Sequence, residues 1–517
     1  MSETTHMHAV SLLFLPSQTD DLHEFPVHDP SFFEDLAIDR ILNSVIKKYE
    51  AYNLRPFFRL VPTGQGVIDF RNDILKDLSS PELGKIVSEF REQMKNIRSQ
   101  KAFAEKSFNK YQSAYFSLSA VAGYCYAVKL LDSNFEQVPP KSKGLQEFKK
   151  NLHSYASSEI FQKLMQQASS YHKALAEINY TVLLNEGTIT VRGFEEEPDY
   201  NETIKQFFSR FAAKKIIKTE GKSEFPNVWI GNVQSQILDG VARINQNIFE
   251  PLCTFIEQEI GFVESALEQF ERETQFYMAW IEFTSQFLEK GLEFSFPLIT
   301  TNHDVNADSA FDLALAEKLY LKGEVVVTND FYLKDKERIF VITGPNQGGK
   351  TTFARMFGQM HYFANLGLTV PGKNVKLLRF DQIFTHFERE EALTALHGKL
   401  YDDLLRIQAI LNAATSRSII ILNEIFNSTA LQDAQFLADK VLNEIMQIGA
   451  LGICVTFMDE LAKLGPETVS LTSMVEPNNP AIRSFHIVRR QADGLAYALS
   501  IAQKYGITYE QLRKRLS

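Results

Sequence analysis

One stretch of this chain has residue types and spacing suited to holding phosphate groups. Gly344, Pro345, Asn346, Gln347, Gly348, Gly349, Lys350 and Thr351 match G-x-x-x-x-G-K-[ST] at every fixed position. The spacing has a physical reason. Glycines let successive backbone N–H groups turn inward around phosphate oxygens, and a helix starting at the end of the loop adds the positive end of its dipole. Lys350 then reaches the β- and γ-phosphates, and the Thr351 hydroxyl ligates magnesium, with Thr352 following in the helix. The expected ligands are a nucleoside triphosphate, its diphosphate product and Mg2+.

A second half of such a site belongs on a neighbouring strand end. Ser418 to Leu422 is an apolar run that delivers Asn423 and Glu424 to its carboxyl end, the edge where open α/β sheets bind ligands. Asn423 orients a coordinated water but brings no negative charge to the metal. Glu424 is the candidate base that positions or deprotonates the attacking water. Lys350 and Glu424 are therefore the expected catalytic pair, and Thr351 and Asn423 the expected metal side. A satisfied polar pair at a strand end is the competing reading of Asn423 and Glu424.

These residues need strands and helices to position them. Ile339 to Thr343 precedes the loop, and a helical pattern runs from Thr352 to Ala364. Ser418 to Leu422 and Leu451 to Thr456 are further apolar runs separated by helical patterns, which implies a parallel sheet. Residues 301–517 thus read as an α/β domain, and 1–300 as mainly helical. In the helical part, Phe108, Tyr111, Tyr115, Leu118, Ala122 and Cys125 step by three and four onto one helical face. From Ile256 to Leu288 a similar stepping predicts one continuous rod from Leu252, on the order of 55 Å long. It reads either as a lever or as a long helix buried in a bundle. Around 180–230 lies a small insertion. Thr181 to Leu184, Asn185-Glu186-Gly187 and Thr188 to Arg192 predict strand, tight turn, strand. Lys214, Lys215, Lys218 and Lys222 follow, with Phe225 and Trp229 beyond. This basic run is the candidate DNA contact; a solvated helix face is its bland alternative.

Composition excludes several classes. The chain has 517 residues, is 44% hydrophobic and 23% charged, and carries a formal charge of -10, so it is neither a disordered chain nor a generally basic nucleic-acid coat. The 41 Phe and 18 Tyr against 2 Trp fit helix packing where they recur at three-four spacing. Cys125, Cys253 and Cys454 are sparse and far apart, which predicts neither a disulfide framework nor a zinc site, but a reduced, cytoplasmic chain. No signal peptide or membrane span is expected.

Together, GPNQGGKTT, FDQIFTHFE, LNEI and VTFMDEL resemble the ATPase domain of the MutS DNA mismatch-repair family. The strand ending Asp381-Gln382-Ile383-Phe384-Thr385 and the tail from Gly494 to Leu516 add to the likeness. The resemblance covers roughly 325–517. It implies a multidomain chain: a mainly α-helical core and lever region followed by an α/β P-loop NTPase domain of the ABC type, with a C-terminal helical dimerisation segment. It also implies a homodimer with composite nucleotide sites for ATP and ADP, DNA as a partner, and slow ATP hydrolysis that drives a clamp or switch in DNA repair or recombination. The mismatch-reading and connector domains are expected to be absent, so structured or branched DNA is the expected substrate. The departures point to a second reading, a non-hydrolysing nucleotide-regulated scaffold. Asn423 stands where the family usually has Asp, and Ile425 to Thr429 replace its glycine-rich run. Phe457 stands where the family has His after Thr456, and Gly398-Lys399 replace a Ser-Thr pair that senses the partner's nucleotide.

Overall fold

The computed structural model describes residues 6–15, 28–62, 64–185, 188–195, 232–388, 398–476, 479–491 and 513. The N-terminal half is helical and the C-terminal half is α/β. The chain forms two compact units, and neither follows a single cut along the sequence. One combines Met1–Ala9, Lys85–Pro139 and Glu147–Glu268; the other combines Val10–Gly84, Pro140–Gln146 and Gln269–Ser517.

The first unit is built on the helix Lys110–Gln137, which packs against Glu159–Ala176, Asn232–Ile244 and Gln246–Gln258. Asn109 starts this helix: its side chain accepts from the N–H groups of Tyr111 and Gln112. Phe108 therefore falls before the helix and is fully exposed, and Tyr115 is half exposed, so the six-residue face expected there loses two of its members to solvent. Leu118, Val121, Tyr124, Cys125 and Val128 are buried, and Tyr124 meets Phe262 edge-on at 5.4 Å. By length and composition this helix is also apolar enough to cross a bilayer, which the sequence reading did not anticipate; 50% of its most apolar window is buried inside the protein.

The continuous rod from Leu252 to Leu288 does not form. The helix Gln246–Gln258 stops and a new one runs from Ser265 to Leu288. Gly261 lies in the gap, and Ile260, a seam position, is exposed. Phe262 turns under Tyr124, and the Glu264 N–H donates to the Tyr124 hydroxyl at 3.3 Å. Tertiary contacts of the gap residues thus replace one turn of helix. The expected hairpin is present: β1 (Tyr180–Asn185) pairs antiparallel with β2 (Thr188–Gly193), with Asn185 opposite Thr188. Lys214, Lys215, Lys218 and Lys222 lie outside the described residues, as do Phe225 and Trp229.

The second unit carries the sheets. β3 (Phe294–Ser295) pairs with β8 (Val370–Pro371). β4 (Leu298–Thr300), β9 (Lys373–Leu378), β5 (Val305–Ala310) and β6 (Asn329–Leu333) form a four-stranded sheet in that order. The main sheet has six strands. Its order is β10 (Ile383–His386), β11 (Ile419–Asn423), β12 (Leu451–Val455), β7 (Ile339–Thr343), β13 (Thr468–Glu476) and β14 (Asn479–Arg489). All neighbours are parallel except β13 and β14. Every residue of β7 and β12 is buried. Strands buried at every position belong to a sheet covered on both faces.

One cover is the helix Lys350–Asn365. Its Phe353 and Phe357 meet Phe331 and Phe340 edge-on, with centroids 5.3 to 6.2 Å apart. The N-terminal stretch packs on the same helix. Gln359 Nε2 donates to the Leu36 carbonyl at 2.8 Å, the Tyr362 hydroxyl donates to the Phe58 carbonyl, and the Tyr362 ring meets Phe33 at 5.2 Å. Fully buried Arg71 donates to the carbonyls of Leu13 at 2.9 Å and Leu366 at 3.2 Å, and burial holds its pKa below the usual guanidinium value. The aromatic residues divide: Phe270 and Tyr277 are fully buried packing rings, whereas Phe108 and Tyr115 of the same expected series are exposed.

Candidate functional site

The loop from Gly344 to Gly349 leaves the carboxyl end of β7 and enters the helix Lys350–Asn365. Its backbone takes left-handed turns: Gly344 has φ 113, Gln347 φ 61 and Gly349 φ 93. Gly349 is the residue before the helix, and its conformation strains any side chain. Gly348 is fixed by crowding instead. A Cβ there would stand 2.1 Å from Ser473 Oγ and 2.9 Å from the Pro345 carbonyl.

Lys350 folds back over the loop. Its Nζ donates to the Gly344 carbonyl at 2.8 Å and to Asn346 Oδ1 at 3.3 Å. Burial lowers its pKa, the Arg483 charge pushes the same way, and Glu424 and Asp459 oppose both. The ammonium is thus held largely out of water against the loop backbone. Beside it, Thr351 Oγ1 donates to Asn423 Oδ1 at 2.9 Å across from the end of β11. β12 lies between β11 and β7, and the Thr351–Asn423 hydrogen bond brings the expected residues of both strand ends together at one edge. A hydroxyl and an amide oxygen in contact, with Glu424 next in sequence, form an oxygen donor set of the kind magnesium takes.

Glu424 is held at an unusual backbone geometry. Its φ is 54, its N–H donates to the Val455 carbonyl at 2.8 Å, and Asn427 Nδ2 lies 3.4 Å from its carboxylate. Phe426 also has φ 61 and is fully buried in the core beneath the sheet edge, with Ile425, Ala438 and Leu442. Bulky residues in this region cost of order 1–3 kcal/mol each and persist where surrounding packing fixes them. Phe457 follows β12 and is exposed, and the Met458 N–H donates to Thr456 Oγ1 at 3.0 Å. Gly398 caps the helix Lys399–Ala413, and Lys399 pairs with Glu388. Asp381, read as part of a signature strand, anchors the turn before β11. Burial would raise its pKa, but hydrogen bonds from Thr415 and Ser418 outweigh that and lower it.

Several residues at the site had no signal in the sequence. Ser473 Oγ on β13 donates to the Gly348 carbonyl at 2.7 Å, and Arg483 Nε on β14 reaches the Asn346 carbonyl at 3.3 Å. A cleft of about 570 Å³ opens beside the loop. Phe311, Val325, Phe353, Met356 and Phe485 form its apolar wall, and Gly348 to Thr352 with Glu424 its polar end. Local spacing cannot announce Ser473, which lies 125 residues from Gly348. Replacing Ser473 with alanine removes one buried hydrogen bond to the loop, about 1 kcal/mol. The expected result is a roughly fivefold loss of MgATP affinity with the fold intact, read by calorimetric titration.

A glycine loop at the carboxyl edge of a central parallel strand, running into a helix, is how α/β domains hold phosphate groups. Comparison with known proteins places this region more closely. Residues 340–514 match the family model described as MutS domain V. The chain is 30% identical over 200 residues to the DNA mismatch repair protein MutS of Thermotoga neapolitana, covering 36% of this chain and 25% of that protein. It is 30% identical over 171 residues to MutS of Psychrobacter cryohalolentis, covering 32% and 16%. Over 216 residues it is 29% identical to MutS of Bacillus cereus, covering 41% and 24%. Residues 340–514 are thus similar to domain V of the MutS family. The matches span at most a quarter of these relatives' lengths.

Proposed function

We propose that the chain is a MutS-like ATPase of DNA repair or recombination. In this reading it binds ATP with Mg2+ in the loop Gly344–Thr352, hydrolyses it slowly, and uses the nucleotide to close a homodimer on DNA. The observation that carries the reading is the convergence of Lys350, the Thr351–Asn423 pair and Glu424 at one sheet edge, against a cleft with one polar and one apolar end. The polar end suits a triphosphate and the apolar wall suits a base. Mg2+ would be held by Thr351 and Asn423, and it supplies charge neutralisation on the phosphate oxygens. Lys350 binds phosphate, Glu424 takes a proton from water, and the buried setting of Lys350 strengthens each charge interaction. Slow turnover follows from Asn423, because a neutral amide offers the metal less than a carboxylate; such changes cost roughly 10–100-fold.

Exposed Tyr401, Leu405, Leu431, Phe436 and Phe457 on this α/β region offer apolar surface for a second copy. The experiment is one preparation read three ways: mass in solution with and without MgATP, phosphate release, and binding of branched against fully paired DNA. The expected result is a dimer that forms with ATP, slow release of phosphate, and DNA retention that depends on nucleotide. An ATP-dependent dimer that releases no phosphate instead establishes the nucleotide-regulated scaffold, which the neutral Thr351–Asn423 pair favours.

A further inference from the structure

The first unit holds a donor cluster that the nucleotide reading does not use. Asp132 and Glu136 are four residues apart on the helix Lys110–Gln137, so their side chains share one face. His153 faces them from the helix Lys143–Ala156. Its Nδ1 lies 3.2 Å from Asp132 Oδ1 and 3.5 Å from Glu136 Oε1. The three donor atoms all lie within 4.8 Å of one another.

An N–H at Nδ1 aims at a single acceptor, and the imidazole offers at most one positive charge against two carboxylates. The side chain of Asp132 is only 10% exposed, and its helix neighbours Leu131 and Phe135 are fully buried. A carboxylate so placed needs its charge met. A dication at the centre of the trio meets both carboxylates and the imidazole lone pair together. The spacing agrees with this. Metal–ligand bonds of roughly 2.0–2.2 Å in a tetrahedral site put donor atoms about 3.3–3.6 Å apart, and the two contacts to Nδ1 bracket the lower end of that range.

We infer that Asp132, Glu136 and His153 form a divalent-metal site of the zinc class, with one nitrogen and two oxygen ligands. Imidazole with carboxylates selects zinc-like ions over magnesium or calcium. The side chains of His153 and Glu136 are 55% and 58% exposed, so the fourth position opens to water. The bound ion clips two helices of one unit together. This site is independent of the nucleotide site and of its proposed function.

The test uses the tag-free full chain, stripped with chelator and free of nucleotide, titrated with Zn2+ by calorimetry and with Co2+ by visible absorption. One ion per chain is expected, with the intense Co2+ band of four-coordinate geometry, undisturbed by excess Mg2+. His153→Gln and Glu136→Gln each weaken uptake by roughly tenfold or more. Both side chains are half exposed, so the variants keep the fold, which circular dichroism checks; Asp132→Asn gives a third reading. Absence of one-to-one uptake, or uptake that survives both substitutions, overturns the site and leaves an ion-pair trio.

Discussion

Replacing Glu424 with alanine lowers phosphate release from MgATP by about two to four orders of magnitude while the nucleotide still binds. That range is what a positioned general base contributes. The expectation rests on three features of the residue. Glu424 directly follows Asn423, the last residue of β11, whose amide oxygen already touches the Thr351 hydroxyl. Its backbone is pinned by the Val455 carbonyl in a left-handed conformation that places the side chain by constraint. Its charge also acts on Lys350, which stands over the loop. A base without these fixed neighbours would lose less on removal, because water would reach the site by other routes. The measurement is phosphate release under saturating MgATP, paired with an affinity titration of each protein. Equal turnover in the parent and the Glu424→Ala protein would sink the enzyme reading and leave nucleotide binding alone.

Replacing Lys350 with alanine acts on binding. A hydrogen bond to a charged partner contributes about 1.5–3 kcal/mol, which is roughly a 10- to 150-fold change in affinity. Lys350 lies at the high end of that range, because burial has already stripped much of its water and little hydration remains to be lost when phosphate arrives. Thermal melts give a direct reading. At about a hundred times its dissociation constant, a ligand stabilises the native state by about 2.7 kcal/mol. MgATP should therefore raise the melting temperature of the parent clearly, and at the same concentration hardly move that of Lys350→Ala. An unchanged nucleotide response would show that phosphate does not sit in the Gly344–Thr351 loop.

The site was legible where chemistry and secondary structure share a short stretch of sequence. Gly344 to Thr351 fixes a loop, the strand before it and the helix after it, so one motif places three elements. Asn423 and Glu424 were legible because a buried parallel strand can end in polar groups only at a sheet edge. Ser473 and Arg483 were not, because they approach the loop from β13 and β14 through pairing that spacing does not encode. The long helical series failed for a related reason. Three-four stepping between Ile256 and Val263 registers side-chain type and ignores whether the backbone continues, and here the edge-on packing of Phe262 on Tyr124 accompanies a break around Gly261. Phe108 falls outside the helix because the cap formed by Asn109 sets the first turn against the hydrophobic period.

The discontinuous make-up of the second unit sets a timetable for its birth on the ribosome. Phe58 and Tyr362, which share a buried hydrogen bond, are 304 residues apart. At roughly 5–20 residues per second, about 15–60 s separate their synthesis. For that interval Phe33 and Phe58, both buried in the finished protein, wait without the Tyr362 side chain that meets them. Late-closing contacts of this kind slow folding and leave apolar surface open to wrong partners. The nascent chain should therefore depend on holding chaperones far more than its C-terminal α/β region would if that region closed on its own residues alone.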